Sequence, residues 1–444
     1  MRRARLARAR DWCAMAEQDP LGTLAQGHQG RQDIGRESID GAAMRPSART
    51  GAPHVLFVDQ SGDLGGAQLS LLDIARHRRA DSEVLLLSDG PFRARLAAQG
   101  VEVSVEEGGA VGTLRQRGLG AGTWRGLAAL PSLVWRVARR AARANIVYAN
   151  TQKAMAVSVL GRFLHRRPVI WHLRDIVDAR QFGRSQLLAV RWLSRGLDRV
   201  IANSQASADA FRALVGPRSR VPVDVVHNGI DPAPFDAARM LDRQRLREAN
   251  GLPQDGLVVG LFGRLAPWKG QHVLLEAVSR MAGVTVVLVG AALFGEQAYE
   301  DTLRERVAAP DLQDRVHFLG FRSDIAELMH CVDVVVHASV KPEPFGRVVV
   351  EGMLAGRPVV ATGAGGVTEI LDHGLTGVLV PPDNADAMAQ AIASLSDDER
   401  SALGARARAA ALARFAPQAT LAAVDRIIAE VAHGNGLIRD SPAL

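Results

Sequence analysis

The sequence predicts an α/β protein made of two doubly wound units, and three observations carry that prediction. From residue 54 onward, short continuous apolar runs alternate with helix-length segments, the pattern of parallel strands buried on both faces. The series stops at a linker marked by Pro232, Pro234 and the charged stretch 239–250, and then begins again. A chain of 444 residues, 47% apolar and 23% charged, has material for two or three cores.

Residues 1–50 show no sustained period and mix Arg, Gln, Gly and Asp, which predicts disorder; Met44, ten residues before the first strand, is an alternative start. Strands of the first unit are predicted at 54–58, 83–87, 101–105, 145–149, 168–171, 199–202 and 223–226. In an open α/β sheet, ligands bind at the carboxyl ends of the strands. The first such end, 61–68 (SGDLGGAQ), enters a helix near Gly66, and the bare backbone of Gly65 and Gly66 lets N–H groups approach an oxygen-bearing ligand; a plain tight turn would need none. Segment 123–143 sets Trp124, Leu127, Leu130, Val134, Trp135 and Val137 beside Arg136, Arg139, Arg140 and Arg143. Such a stripe suits either a membrane interface or a core, and Pro131 argues against one unbroken helix. His172 and Arg174 follow strand 168–171, Asn203 and Ser204 follow 199–202, and Asn228 to Asp231 follow 223–226. Arg174 is placed to pair with a phosphate, while His172 could equally be a satisfied structural histidine.

The second series runs 257–262, 284–289, 315–319, 333–337, 358–361 and 376–380, and a last helix over about 417–433 carries Leu421, Val424, Ile427, Ile428 and Val431 at helical spacing. After its first strand, Arg264 and Lys269 stand either side of a turn just before a helix. Two cations around a helix N-terminus would neutralise a pyrophosphate. Segment 339–369 holds two carboxylates eight apart, Glu343 and Glu351, across Pro344, Phe345 and Gly346. The prolines and Gly346 predict a helix starting near Gly346, with one acid on the loop before it, the other inside it, and unpaired amides between. Carboxylates accept from hydroxyls and amides donate to phosphate oxygens, so this set suits a nucleotide-sugar.

These residues also carry a resemblance. Glu343 through Arg347 to Glu351, followed by Gly365-Gly366-Val-Thr-Glu369, resembles the Glu-x7-Glu signature and glycine-rich donor loop of family-4 retaining glycosyltransferases; Gly263-Arg264-x4-Lys269 resembles the family's Gly-Arg-x4-Lys. The resemblance implies the GT-B fold, with Rossmann-like domains at 51–232 (acceptor) and 233–416 (donor) facing across a cleft, and residues 417–444 returning to the first. It implies catalytic roles for His172, Arg264, Lys269 and Glu343. Arg264 and Lys269 would stabilise the leaving diphosphate, Glu351 would hold the ribose and Glu343 a sugar hydroxyl. Gly65, Gly66, Phe345, Gly346, Arg347, Gly365 and Gly366 would surround sugar and phosphate, and His172, Arg174, Asn203 and Ser204 would face the acceptor. The base is uridine or guanosine; the loop with Gly320, Phe321 and Arg322 is where it would be read, and no residue there decides.

Other chemistries have little support. No Walker loop occurs, and the nearest approach to Gly-x-Gly-x-x-Gly, at 118–123, ends in Thr. An Asp-x-Asp pair, the device that holds a cation on a diphosphate, is absent, so protein cations would do that work and neither metal nor cofactor is expected. Cys13 and Cys331, far apart, give no disulfide framework. No apolar run is long enough to cross a bilayer and no secretory h-region is present, which predicts a cytoplasmic protein. Net charge is +3 over 1–50, +10 over 51–235 and −6 over 236–444. The basic half could be a solvated surface or meet an anionic membrane from its inner face; nucleic acid is not expected. Lysines number three, and two of them, Lys269 and Lys341, fall in the candidate site. The expected activity is metal-independent, retaining transfer of a sugar from a UDP- or GDP-sugar to a lipid-linked or polysaccharide acceptor. A same-fold epimerase or hydrolase and a non-catalytic nucleotide-sugar-binding protein are the alternatives.

Overall fold

The structure, a computed structural model, describes residues 52–107, 121–293 and 295–437, with side chains of 121–128 not described. The extension 1–50 with Cys13 and Met44, the glycines at 118–120, the side chains of Trp124 and Leu127, and 438–444 therefore lie outside the described residues.

All thirteen predicted runs are strands, displaced by two residues at most. The first unit runs β1 (Val55–Asp59), α1 (Gly66–His77), β2 (Ser82–Leu86), α2 (Pro91–Ala98), β3 (Glu102–Val105), α3 (Ala121–Ala141), β4 (Ile146–Ala149), α4 (Gln152–Leu160), α5 (Arg162–His165), β5 (Val169–Leu173), α6 (Arg184–Leu193), β6 (Arg199–Ala202), α7 (Gln205–Val215) and β7 (Val223–Val225). Its sheet is parallel, in the order β3-β2-β1-β4-β5-β6-β7, so the chain order reverses between β1 and β4. Both faces are covered. Leu133, Val137, Met155, Val190 and Phe211 cover one, from α3, α4, α6 and α7; Leu71, Ile74 and Leu96 cover the other, from α1 and α2.

Two short helices, α8 (Ala233–Ala238) and α9 (Arg243–Ala249), form the linker. The second unit follows with β8 (Leu257–Phe262), α10 (Gln271–Ser279), β9 (Val284–Val289), α11 (Gln297–Val307), β10 (Val316–Gly320), α12 (Ile325–Cys331), β11 (Val334–His337), α13 (Arg347–Leu354), β12 (Val359–Thr362), α14 (Val367–Ile370), β13 (Val378–Val380), α15 (Ala385–Ala393) and α16 (Asp397–Arg414). Its parallel sheet is ordered β10-β9-β8-β11-β12-β13, reversing between β8 and β11. The two units are Rossmann-like and arranged as in the GT-B fold.

The last helix, α17 (Pro417–Gly434), returns to the first unit as expected. Its Val424, Ile427, Ile428 and Val431 are buried against Val55, Phe57, Leu71 and Ile74. Asp425 seals the seam by accepting from His77 Nε2 at 2.8 Å and Arg78 Nη1 at 2.5 Å.

One expectation fails. α3 is a single helix through Pro131, which is itself exposed to solvent. The apolar stripe splits: Val137 is core and Leu130 and Val134 pack partly buried against it, whereas Trp135 is 52% exposed; Leu133, outside the stripe, is core as well.

Candidate active site

The site assembles at the carboxyl ends of the strands flanking the two order reversals. In the second unit, a short turn, Pro267–Lys269, follows β8 and ends on Gly270 at φ +72°, where an added Cβ would lie 1.9 Å from the Ala338 carbonyl oxygen. Val340 N–H donates to Trp268 O at 2.9 Å, so this turn is tied to the segment after β11. Lys269 Nζ and the Arg264 guanidinium both lie near the Trp268 ring, 4.2 and 5.9 Å from its centroid. They are the two expected cations.

Lys269 is already engaged. Its ammonium donates to both oxygens of Glu343, at 3.0 and 2.8 Å, with both side chains largely buried. Ser339 Oγ donates to Glu343 Oε2 at 3.0 Å, and His337 Nε2 lies 3.4 Å from the same oxygen. Burial alone would raise the Glu343 pKa, but Lys269 and His337 outweigh it and hold the carboxyl far below the usual range. Glu343 is thus a fixed anion that accepts hydrogen bonds, unsuited to donate a proton.

Gly346, at φ +107°, caps α13 as predicted, and Arg347 Nη2 lies 3.5 Å from Glu351 one turn on. Arg347 Nε and Nη1 are buried without a partner. The Glu343 loop is zipped to the glycine loop: Gly366 N–H donates to Glu343 O at 2.8 Å, and a Cβ on Gly365 or Gly366 would lie 2.3 or 2.5 Å from a carbonyl oxygen of Glu343 or Pro344. Phe345 turns its ring into the core against Phe415 and His227, leaving its backbone as what it offers the cleft. Arg322 is committed to Asp324 and to Asn250 Oδ1 at 3.0 Å. Phe321 beside it is exposed.

The first unit meets this array directly. Gly65 caps α1, and a Cβ on Gly66 would lie 3.3 Å from Arg347 Cδ. Gln181 Nε2 donates to Pro342 O at 3.0 Å, and the Ile176 side chain abuts Gly365. Glu369 reaches across to accept from the Gln205 and Ala206 amides at the N-terminus of α7, at 2.7 and 2.8 Å, and from His227 Nε2 at 3.0 Å.

His172, the last residue but one of β5, is fully buried. Tyr148 donates its hydroxyl proton to His172 Nδ1 at 2.5 Å, and Arg174 Nη2 donates to the same atom at 3.2 Å. A guanidinium can only donate, so Nδ1 accepts and the ring proton resides on Nε2. That Nε2 has no partner. Burial and the Arg174 charge push the imidazole pKa well below its ordinary value, so the ring is neutral. Arg174 also donates to Asn150 at 2.6 Å and Asn228 at 3.0 Å, and burial lowers its pKa to about 10. Asn203 and Ser204 instead serve α7: Ser204 Oγ accepts from Ser207 N–H at 3.0 Å, and Asn203 Oδ1 accepts from Ser207 Oγ.

Sequence reasoning missed His337 and Ser339 behind Glu343, and Asp59 and Asn150 behind Arg174. Asn150 donates to Asp59 at 2.5 Å, and burial raises the Asp59 pKa despite Asn150, Ser61, Gln68 and Arg174. Their signal was a polar residue closing an apolar strand: VLFVD, IVYAN and VVVH. Among the described residues, no group of three or more His, Cys, Asp and Glu side chains is disposed to hold a metal ion.

Comparison with known proteins agrees with this geometry. Residues 64–234 match the family Glycosyltransferase Family 4, and residues 242–412 match Glycosyl transferases group 1. The chain is 38% identical to Anabaena Alr3699/HepE, solved in complex with UDP and glucose, with a TM-score of 0.76 over 85% of this chain and 99% of that one. Sucrose-phosphate synthase from Thermosynechococcus elongatus, 19% identical with a TM-score of 0.71 over 86% and 100% of the two chains, shares the fold. The D-inositol 3-phosphate glycosyltransferase of Mycobacterium marinum is 35% identical over 219 residues, 48% of this chain and 46% of that protein. The chain thus spans about half the length of the curated relatives it matches. On matches that together run from the first glycine loop to the end of α16, the chain belongs to the group 1, family-4 glycosyltransferases of GT-B fold.

Proposed function

We propose that the protein is a retaining, metal-independent glycosyltransferase that moves a hexose from a nucleotide-sugar, UDP-glucose before GDP-sugars, to a lipid-linked or polysaccharide acceptor. The observation that carries this reading is the buried Lys269–Glu343 pair, with Arg264 and Lys269 both beside the Trp268 ring. UDP-glucose is the first choice because Anabaena Alr3699/HepE has been solved with it bound, at 38% identity.

In this reading the diphosphate enters between Lys269 and Arg264, and Lys269 is shared between Glu343 and phosphate oxygens. The bond from anomeric carbon to phosphate oxygen breaks, and the diphosphate leaves with the electron pair. Fixed cations in a water-poor cleft stabilise that charge as it develops. The acceptor oxygen bonds to the anomeric carbon on the face the phosphate leaves, and its proton passes to the departing phosphate oxygen. Glu343 accepts from a sugar hydroxyl, Glu351 from the ribose, and His172 Nε2–H donates to the sugar. Arg347, with two unpartnered nitrogens beside Gly66, faces the phosphates.

A cavity of about 700 Å³ opens beside Gly365 and Pro342, lined on the first unit by Ile176, Val177, Leu187 and Leu214. Asp178, Arg180 and Asp209 also line it, so its mixed wall supports an acceptor with both an apolar and a polar part. A thermal-shift screen of UDP- and GDP-sugars tests the donor, because ligand that binds the folded state raises stability by mass action. UDP-glucose should raise Tm most, and labelled glucose should then pass to acceptor with its anomeric configuration kept. No shift with any nucleotide-sugar would overturn the reading.

A further inference from the structure

Charge and exposure single out one face of the first unit. No acidic residue occurs from 108 to 174, a span with eleven arginines and Lys153, and none occurs from 179 to 197, which adds four more arginines. Much of this sequence forms α3, α4, α5 and α6, the helical layer on one face of the first sheet. Among the described residues eleven large apolar side chains are exposed, and six belong to this layer: Trp135, Leu160, Phe163, Leu164, Leu188 and Trp192. Phe163 is 91% exposed, Leu188 64% and Trp192 63%.

The six form a neighbourhood. Arg162, on α5, donates to the Gly196 carbonyl at 2.6 Å just past α6, while Gly161 abuts Ala138 of α3. Arg167 donates to Ala142 O at 2.8 Å on the same side. Phe163 and Leu164 therefore lie between the ends of α3 and α6, with Arg139 over the Trp135 ring at 4.8 Å and exposed Arg166, Arg191 and Arg195 nearby. Single exposed apolar residues are ordinary. Glu106, Glu83 and Asp198 pair with Arg136, Arg140 and Arg162. But a cluster of Trp, Phe and Leu among further arginines, on four helices that themselves carry no acid, is the chemistry of a surface that enters the headgroup layer of an anionic bilayer. A second copy of this chain fits poorly, because it would set two arginine-rich faces together.

We infer that the α3–α6 layer is a docking face for an anionic membrane, with Phe163, Leu164, Leu188 and Trp192 at headgroup depth and the arginines on lipid phosphates. This deepens the transferase reading: Leu188 points outward while its neighbour Leu187 lines the cavity beside Gly365, so an acceptor held in the bilayer would meet the cleft along α6.

The test sediments the full chain, without donor, with vesicles of phosphatidylcholine alone or mixed equally with phosphatidylglycerol. Binding should require phosphatidylglycerol and weaken with salt. The double variant Leu188→Glu/Trp192→Glu, and separately Phe163→Ser, should bind at least about tenfold more weakly with an unchanged circular dichroism spectrum. Failure of the wild type to bind in dilute salt would overturn the inference, as would equal binding by the variants. So would a dimer in light scattering that Trp192→Glu dissolves, since the face would then pair copies. Because binding is read without donor or transfer, its failure leaves the transferase reading standing. Conversely, vesicle binding by a protein that ignores every nucleotide-sugar would sink that reading alone.

Discussion

Lys269 and Glu343 neutralise one another before any ligand arrives, and this sets what each can contribute. A buried pair broken from one side leaves an uncompensated charge, a cost of about 3–5 kcal/mol. Lys269→Ala should therefore lower Tm as well as reduce turnover on the order of 100-fold or more. Lys269→Arg separates the two effects. It keeps a cation beside Glu343 and so much of the Tm, but its planar fork cannot replace a compact ammonium shared with a phosphate, and kcat should stay low. Wild-type turnover in Lys269→Ala would remove the assigned role. His172 offers a second residue-level prediction. With Nδ1 engaged by Tyr148 and Arg174 and its pKa pressed down by burial, the ring should remain neutral and protonated on Nε2 throughout the range in which the protein is folded. Ring-nitrogen NMR checks this. A neutral ring protonated on Nδ1 would contradict the tautomer and the donor role together, and an imidazolium signal near neutral pH would contradict the neutral charge. The unpartnered Nε2–H is itself informative, since a buried donor left unpaired costs about 1–3 kcal/mol and such groups gather where a ligand completes them.

Among elements, the loops before α13 and α14 act as one unit. Gly366→Ala would set a methyl 2.5 Å from the Pro344 carbonyl and push the Glu343 loop off its bridge to Gly365. Transfer should fall at least about tenfold while α13, buried through Val349, Val350 and Met353, stays folded, as a loss of kcat with little change in far-ultraviolet circular dichroism would report. The elements were legible because each strand is a short run such as VVVH or VLFVD between helix-length segments, and because Gly346 with two prolines can only begin a helix, not continue one. Local pattern does not fix which way a side chain turns. Phe345 lies inside the family signature yet packs against Phe415, seventy residues on, and Asn203 and Ser204 lie at a strand end yet cap α7. Likewise the stripe on α3 looked continuous in sequence, but Val137 joins the core while Trp135, two residues before it, faces solvent. The Lys269–Glu343 contact, spanning seventy-four residues, was expressed in sequence as a shared site and not as an ion pair.

At the scale of the whole molecule, the two sheets are joined by a hinge and a clasp. The hinge is aromatic: His227 packs against Phe345 and Phe415, Ile230 N–H donates to Phe415 O at 3.0 Å, and Thr420 donates to His227 O at 2.8 Å. The clasp is Glu369, whose carboxylate crosses from the second unit to two amides at the start of α7 and to His227. An anion at a helix N-terminus is favourable, and hydrogen bonds to a charged group contribute about 1.5–3 kcal/mol each. Burial would raise the Glu369 pKa, yet His227 and the two amides hold it below the usual range. For an acid whose folded pKa is depressed, the stabilisation is complete above its unfolded pKa and is lost as pH falls toward the folded value. The clasp is therefore closed at neutral pH and loosens under acid, below about pH 4.3. Glu369→Ala removes it at every pH. Without ligand, small-angle scattering should then give a larger radius of gyration than wild type, and saturating nucleotide-sugar should restore the compact value as Lys269 and Arg264 draw the domains onto the diphosphate. Turnover should fall several-fold, on the order of 1–2 kcal/mol in the barrier, with a higher KM for donor, because part of the binding energy now closes the cleft. If the radius and KM were unchanged and Tm alone fell, Glu369 would be a helix cap and closure would rest on the aromatic hinge.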